Sequence, residues 1–281
     1  MGAPGVGAGP ARPPVRALFL FLAALAVVPG CTCSGVNRGD VNLVSLDDEW
    51  ALGQELAAEV DAQTTPWPDD AVQRYADALG AALAAETELA DRSWTFTVLA
   101  DPAVNAFALP GGHVYLHGGL VAAAETEAEL ASVVGHEVAH VVARHGTERM
   151  VKAQGLALVA ELALGENPGI VRQIVTGLMG QGALARFSRA DEREADALGL
   201  AYMADAGYDP SGMARMFETL TALRAREPVL FERWFQTHPL GEERVAAARE
   251  AAAAVEPDQA PATPPGAFET VRDRVRARLG R

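Results

Sequence analysis

The sequence predicts an α+β fold that is mostly α-helical, with a small antiparallel sheet and a buried helix. Two observations lead to this prediction. Strand-like alternation is confined to residues 93–117, and apolar residues recur at helical spacing on both sides of that segment. With 281 residues, 49% of them hydrophobic and 21% charged, the chain is long enough to bury a substantial core and is not generally disordered.

The first thirty residues are typical of an export signal. Two arginines precede an apolar run at 17–28, which is too short to span a bilayer. Cys31 follows that run and resembles the acylated first residue of a bacterial lipoprotein, whereas ordinary cleavage nearby would release an unanchored exported protein. We expect a lipoprotein-type signal peptide at 1–30, a tether at 31–44, and periplasmic localisation with lipidated Cys31 anchored in the outer membrane.

The segment after the tether is predicted to form two helices. The first starts at Ser45, carries three acids in its first turn and ends before the proline-rich residues 64–68. Four apolar residues at helical spacing define the second helix: Val72, Tyr75, Leu79 and Leu83.

Three short strands are predicted next. Residues 93–99 alternate between polar and apolar side chains, with Trp94, Phe96 and Val98 on the apolar side. Strands at 105–109 and 113–117 follow, and Pro110-Gly111-Gly112 separates them as a turn.

The remainder of the chain is predicted to be helical. Thr126 and Glu129 form a capping-box pattern for a helix running to about His145 and stopped by Gly146. Further helices are predicted at 154–164, 169–186, 189–206 and from Asp209-Pro210 onward. We expect one catalytic domain over 45–255, a Pro-rich linker at 256–267 and a basic helix at 268–281.

Charge and cysteine content exclude several function classes. The chain has 23 Lys+Arg and 37 Asp+Glu, so its formal charge is −14. Phosphate binding needs a basic face, so nucleic acid is not an expected partner. Cys31 and Cys33 alone supply neither a disulfide framework nor a four-thiolate metal site.

The chemistry is indicated by residues 136–140, which read His-Glu-Val-Ala-His inside a predicted helix. Histidines four residues apart share a helix face, so His136 and His140 can bind one metal ion. Glu137 lies beside that ion, where it can deprotonate a bound water. The alternative is a pair of structural histidines on a buried helix.

A catalytic zinc site needs a third protein ligand and an open fourth position. A third histidine six residues on is absent, because residue 146 is Gly. Glu192 can supply the ligand, and Asp196, one turn later, can accept the outer N–H of a ligand histidine. Glu194 lies at the wrong angle to join them. On its own, this stretch would more often be a solvated acidic helix.

These motifs resemble the zinc metallopeptidase family that includes the heat-shock protease HtpX, the CAAX prenyl endopeptidases and the periplasmic protease BepA. The resemblance covers about residues 45–250 and is carried by the following segments: 105–113, Gly119-Leu120, 136–140 with Arg144-His145, Ser188-Arg189, 192–196, 206–210, and Thr237-His238-Pro239 with Arg244. It implies a zincin-like metallopeptidase domain and one Zn²⁺ per chain, bound by His136, His140 and Glu192, with Glu137 as catalytic acid/base.

Two further residues are candidates for the site. His238 and Arg244 are spaced as in the family, and we expect them to donate to the oxyanion of the tetrahedral intermediate. His238 could instead cap the zinc as a fourth ligand in a resting state, or be a loop histidine without a role.

The strand after Gly112 is the expected substrate-binding element, because a peptide can add to an exposed sheet edge by main-chain hydrogen bonds. The residues concerned are His113, Val114 and Tyr115. His113 and His117 are about 13 Å apart on a strand and cannot share a metal. His145 is expected to be structural. The apolar helices within 154–186 are expected to pack in the core, with an active-site cover or membrane contact as alternatives.

The leading functional hypothesis is a zinc endopeptidase of the bacterial cell envelope that cuts unfolded or misassembled polypeptides, with envelope assembly machinery as a possible partner. A chaperone-like peptide-binding protein is the runner-up, and a zinc amidase acting on cell-wall peptides is a third option. The residues themselves support metal-assisted amide hydrolysis, and the family resemblance supplies the quality-control role.

Overall fold

The computed structural model describes most of the chain from residue 42 onward. The described residues are 1–2, 42–155, 159, 161–162, 168–179, 186–226, 234–257, 259–264 and 266–280. The expected signal peptide and Cys31 lie outside the described residues, as does nearly all of the tether.

Two N-terminal helices form as predicted. Helix α1 spans Leu46–Gln63, and the side chain of Ser45 accepts the N–H of Asp48 at its start. Helix α2 spans Asp70–Ala85 and is capped by Asp69, whose side chain accepts the N–H of Ala71. These caps satisfy N–H groups that have no partner within the helix, so each helix begins where its sequence supplies a short polar acceptor.

The sheet contains three strands, β1 (Thr95–Leu99), β2 (Ala106–Leu109) and β3 (His113–His117), in the order β1-β3-β2. Strand β3 pairs antiparallel with β2 and parallel with β1. Gly111 and Gly112, with φ of 79° and 81°, form the turn between β2 and β3, where a side chain would be strained.

Two expectations about this sheet are wrong. The sheet is mixed, because β3 folds back on β2 and then lies alongside β1 in the same direction. Strand β3 is also the central strand, so its backbone is hydrogen-bonded on both sides and offers no edge to a peptide. Within the described residues, β2 lies at one side of the sheet, and β1 at the other makes one further bridge, between Leu99 and Pro66.

The chain then enters the buried helix that carries the histidine motif. Helix α3 spans Gly118–Ala123, and α4 spans Glu127–Val142 with Thr126 as its N-cap. The predicted end of α4 near His145 is wrong. Arg144 adopts a left-handed conformation, with φ of 61° and ψ of 24°, and a new helix, α5 (His145–Gln154), begins there.

Five further helices with defined bounds follow in the described part of the chain. Helix α6 spans Pro168–Met179 and α7 spans Arg189–Asp205, opened by a reciprocal capping box between Ser188 and Asp191. The remaining three are α8 (Ser211–Arg226), α9 (Glu242–Ala253) and α10 (Ala267–Leu279). Gly207, with φ of 86°, follows α7 at its predicted stop.

The apolar interior consists of two clusters. The larger one surrounds α4, and it includes three side chains of α10, so the basic C-terminal helix packs into the same core. The second includes the buried faces of α1 and α6 together with Val159 and Leu162. Core packing is therefore confirmed for the described part of 154–186. No helix among the described residues is long and apolar enough to cross a membrane.

Helices α4 and α7 cross at two glycines. A Cβ on Gly199 would lie 2.9 Å from the carbonyl carbon of Gly135 and 2.9 Å from the amide nitrogen of His136. Such distances are shorter than van der Waals contact, so only glycine allows the two backbones to approach this closely. The crossing places the first turns of α7 directly opposite the histidine motif.

We predict that Gly199→Ala destabilises the protein by about 1–3 kcal/mol, because the added methyl group forces the two helix backbones apart. Urea denaturation of the metal-free protein measures the change. Gly169→Ala is the control: an added Cβ there meets nothing within 4 Å, and it should be neutral or stabilising. Equal stability of Gly199→Ala and wild type would contradict the packing argument.

Candidate metal centre

Four buried side chains converge beside the C-terminal half of α4. His136, His140, Glu192 and His238 each offer one ligand atom, and these atoms all lie within 4.8 Å of one another. None of the four residues is more than 3% exposed. The Nε2 atoms of His136 and His140 are 3.1 Å apart and point to the same place.

The donor set fits zinc. Imidazole nitrogens and a carboxylate oxygen are its usual ligands, and a ligand histidine must be neutral. Burial lowers the pKa of His140 well below its ordinary value, and the neighbouring His136 and His238 lower it further, while contact with Glu192 opposes this. The side chain is therefore held in the neutral form that coordination requires.

Glu137 lies next to this cluster but is not one of its four donors. Its side chain is 1% exposed, and its Oε1 lies 3.4 Å from Nε2 of His238. Burial raises the pKa of Glu137, whereas the nearby His238 and His136 lower it in part. The backbone N–H of Ala108 in β2 also contacts this carboxylate. Glu137 thus lies between the donor cluster and the outer strand of the sheet.

Glu192 approaches the histidines from α7. Its carboxylate oxygens lie 3.7 Å from Nε2 of His136 and 3.6 Å from Nε2 of His140. Burial alone would raise the pKa of Glu192, but His238, His140 and His136 together hold it well below its usual range. Glu192 is therefore ionised, as a metal-binding carboxylate must be.

Asp196 and Arg244 lie behind this ligand set. Asp196 Oδ1 is 2.9 Å from Nδ1 of His136, as the sequence predicted. Arg244 donates two hydrogen bonds to the oxygens of Asp196, at 2.6 and 2.7 Å. It donates another to Glu192, at 2.6 Å, and one to the carbonyl of Pro239. Its guanidinium therefore faces the back of the ligand carboxylate.

His238 joins the cluster from the segment that precedes α9. Its Nδ1 lies 3.0 Å from Glu192 Oε1 and 3.2 Å from His136 Nε2. The backbone N–H of His238 donates to the carbonyl of Trp234, whose ring tilts against the imidazole at a centroid distance of 4.5 Å. Burial lowers the pKa of His238, but the carboxylates of Glu192 and Glu137 outweigh this and raise it.

A model of peptidase family M48 matches residues 70–252, more than half of the chain. The chain belongs to peptidase family M48. Within the matched segment lie all four donors of the cluster, Glu137, Asp196 and Arg244.

Three relatives illustrate the range of this M48 family. The chain is 30% identical to a beta-barrel assembly-enhancing protease of Yersinia pestis over 76% of this chain and 46% of the relative. It is 31% identical to mitochondrial metalloendopeptidase OMA1 of Schizosaccharomyces pombe over 74% of this chain and 62% of the relative. It is 28% identical to metalloprotease LoiP of Escherichia coli over 82% of this chain and 94% of the relative. The chain thus spans about half the length of the first of these relatives.

The predicted metal ligands of this M48 chain converge, but the predicted substrate-binding residues do not join them. Val114 and Tyr115 are buried in the central strand, at 0% and 2% exposure, and the Tyr115 hydroxyl donates to Asp61. His113 is half-buried, and its Nδ1 lies 2.9 Å from the hydroxyl of Thr95. None of the three presents a free edge, because β3 is flanked by strands on both sides.

Two neighbours of His140 were not identified as site residues from the sequence. Phe187 stacks on its imidazole, with ring centroids 3.9 Å apart, and Nδ1 of His145 lies 2.9 Å from Nδ1 of His140. A residue five positions on does not share a helix face, so helical spacing gave no signal for His145. The left-handed turn at Arg144 brings it back beneath His140.

We predict that Arg244→Met lowers the free energy of unfolding by about 3–5 kcal/mol, because it leaves two largely buried carboxylates without their cation. Urea denaturation of the metal-free protein measures this loss. Arg249→Met is the matched control: its guanidinium pairs with Glu218, but its side chain is 63% exposed, and the change should stay within about 1 kcal/mol. Equal losses in the two variants would contradict the role assigned to Arg244.

Proposed function

We propose that this chain is a zinc-dependent endopeptidase that hydrolyses internal peptide bonds. The observation that carries the proposal is the convergence of His136, His140 and Glu192 beside a buried acid, Glu137, that is not itself among the converging donors. A structural zinc site uses all its ligands to close the coordination sphere and needs no such acid. Zinc hydrolases pair an accessible coordination position with a general base.

His136, His140 and Glu192 would hold the ion. When bound, zinc lowers the pKa of a coordinated water to about 7 and polarises the scissile carbonyl. Glu137 accepts the proton of the attacking water as the new C–O bond forms. It then donates that proton to the leaving nitrogen as the C–N bond breaks. The raised pKa of Glu137 suits a residue that must both take up and release a proton.

Asp196 and Arg244 act as positioning residues in this proposal. Asp196 orients His136 through its outer nitrogen, a common feature of zinc sites. We expected Arg244 to donate to the oxyanion, but its hydrogen bonds run to Asp196, Glu192 and Pro239. The contacts favour a different role, in which Arg244 holds the ligand carboxylate in place.

For His238, the geometry favours the capping role over the oxyanion role. Its Nδ1 belongs to the cluster of four donors, so it can occupy the position that water or substrate needs. We propose that His238 closes the site in a resting state and moves away when a substrate binds. A catalytic zinc site uses three protein ligands, and this role of His238 explains why four donors converge here.

The outer strand β2 replaces β3 as the proposed substrate-binding strand. Phe107 and Ala108 are half-buried, and Ala108 contacts the catalytic Glu137. A peptide added along β2 would be held by main-chain hydrogen bonds, which are largely independent of its side chains. Such binding suits extended segments of unfolded proteins.

We propose unfolded or misassembled proteins of the cell envelope as substrates, and envelope assembly machinery as a partner. The similarity to a beta-barrel assembly-enhancing protease of Yersinia pestis supports this. The apolar segment before Cys31 supports export to the periplasm and lipid anchoring to the outer membrane. A peptide-binding chaperone would not need the buried Glu137. An amidase for cell-wall peptides would share the site and differ in its substrate.

We predict that Glu137→Gln abolishes digestion of casein while leaving zinc binding within about tenfold of wild type, because the amide fills the same space but accepts no proton. Casein digestion and zinc content by elemental analysis are measured together, with purified cell wall as the second substrate. Cleavage of cell wall alone would favour the amidase. Casein binding without cleavage by a wild-type protein that lacks zinc would favour the chaperone.

We predict that His238→Ala raises the rate of casein hydrolysis, because it removes the side chain that closes the site. The initial rate at saturating zinc is the measurement, and Glu137→Gln combined with His238→Ala is the control for contaminating proteases. A lower rate in the His238→Ala variant would instead assign His238 to the oxyanion.

A further inference from the structure

The two ligand histidines of α4 differ in what holds their outer nitrogens. Both direct Nε2 to the centre, where these atoms are 3.1 Å apart, so both turn Nδ1 away from it. Nδ1 of His136 lies directly against a carboxylate, 2.9 Å from Asp196 Oδ1. Nδ1 of His140 instead lies 2.9 Å from Nδ1 of a third histidine, His145.

His145 connects His140 to a second acid of α7. It is 2% exposed, and its Nε2 lies 3.4 Å from Oε2 of Glu194. It reaches this place because the helix breaks at Arg144, whose left-handed backbone starts α5 directly beneath α4. The guanidinium of Arg144 is in turn bound to buried Glu49 and to the carbonyl of Val44, which hold the turn.

The proton positions on the connected side chains of His140, His145 and Glu194 follow from donor and acceptor chemistry. A carboxylate only accepts, so Nε2 of His145 carries the proton that faces Glu194. A neutral His145 then has an unprotonated Nδ1, which accepts the Nδ1–H of His140. His140 is left with a lone pair on Nε2, the atom that faces the other donors of the cluster.

We propose that His145, oriented by Glu194, is a positioning residue that selects the metal-binding tautomer of His140 and fixes the direction of its ring. The proposal rests on the zinc site of the proposed function and adds to it the residues that prepare one ligand. Neither His145 nor Glu194 touches the metal or the substrate.

Stacking also restricts the orientation of the His140 ring. Phe187 lies against one ring face at an interplanar angle of 21°, and the guanidinium of Arg149 lies 4.6 Å above the Phe187 ring. Stacking restricts tilting of the imidazole but does not decide which nitrogen carries the proton. That selection depends on the acceptor at Nδ1, which His145 supplies.

A purely space-filling His145 would behave differently from a positioning one. Phenylalanine would replace a space-filling ring with little effect on metal binding, and Glu194 would not matter. The side chain of Glu194 is 32% exposed, so its contribution to core packing is small. A change in zinc affinity when Glu194 is substituted therefore reflects its contact with His145 rather than core packing.

The test measures the zinc dissociation constant of the purified protein by competition with a chromophoric chelator, and the melting temperature without metal. We expect His145→Phe to weaken zinc binding about 10–100-fold, the usual effect of losing a partner of a ligand histidine. His117→Phe is the matched control, because His117 is also 2% exposed but lies on β3 and is not among the converging donors. Its zinc affinity should equal that of wild type.

Glu194→Leu and Glu194→Gln form the second comparison and remain decisive if His145→Phe does not fold. Leucine removes the acceptor, whereas the amide oxygen of glutamine keeps it, so Glu194→Gln should bind zinc more tightly than Glu194→Leu. Equal affinities of these two variants, or a loss under about tenfold in a folded His145→Phe, would overturn the proposal. A wild-type protein that binds no zinc would overturn the proposed function instead.

Discussion

The contact between α4 and α7 at Gly135 and Gly199 is the constraint on which the site depends. The two backbones touch because neither residue carries a side chain. This approach places Glu192 and Asp196 within reach of the histidines of α4, and Glu194 within reach of His145 at the start of α5. Side chains there would hold the helices farther apart, and a glutamate could not then share a metal ion with two histidines on another helix. The geometry of the site therefore depends on glycine at both positions.

This close crossing places several charged side chains in the buried interior, where an unpaired charge destabilises the fold. Arg244 compensates two of the acids of α7 at once, with a planar group that matches carboxylate geometry. The remaining compensation comes from the histidines and, in the proposed function, from zinc. The same surroundings shift the pKa values of two neighbouring glutamates in opposite directions: the pKa of Glu192 is lowered and that of Glu137 is raised. In the proposed function, Glu192 is the ligand carboxylate and Glu137 is the acid/base.

Much of the site could be predicted because its signals are local. His136 and His140 lie one turn apart on one helix, with Glu137 next to His136, and Glu192 and Asp196 lie four apart on another helix, so helical spacing groups each pair. The sheet order could not be predicted in the same way. Alternation shows that 93–99 and 113–117 are strands but carries no information about which of them lies in the middle. The sequence therefore predicts a free edge on β3, whereas in the structure β3 is the central strand and β2 is an outer strand.

The sequence by itself determined most of the helices, the three short strands and the residue types of a metal-binding hydrolase, because these depend on neighbours within a few positions. Only the tertiary structure decided the contacts of Arg244, His145 and Glu194. Each contacts a residue of another helix or one across a break in the helix, at distances set by packing. The left-handed turn at Arg144 shows the difference most clearly. The spacing of His140 and His145 excludes a shared helix face, and the break in the helix is what brings them together.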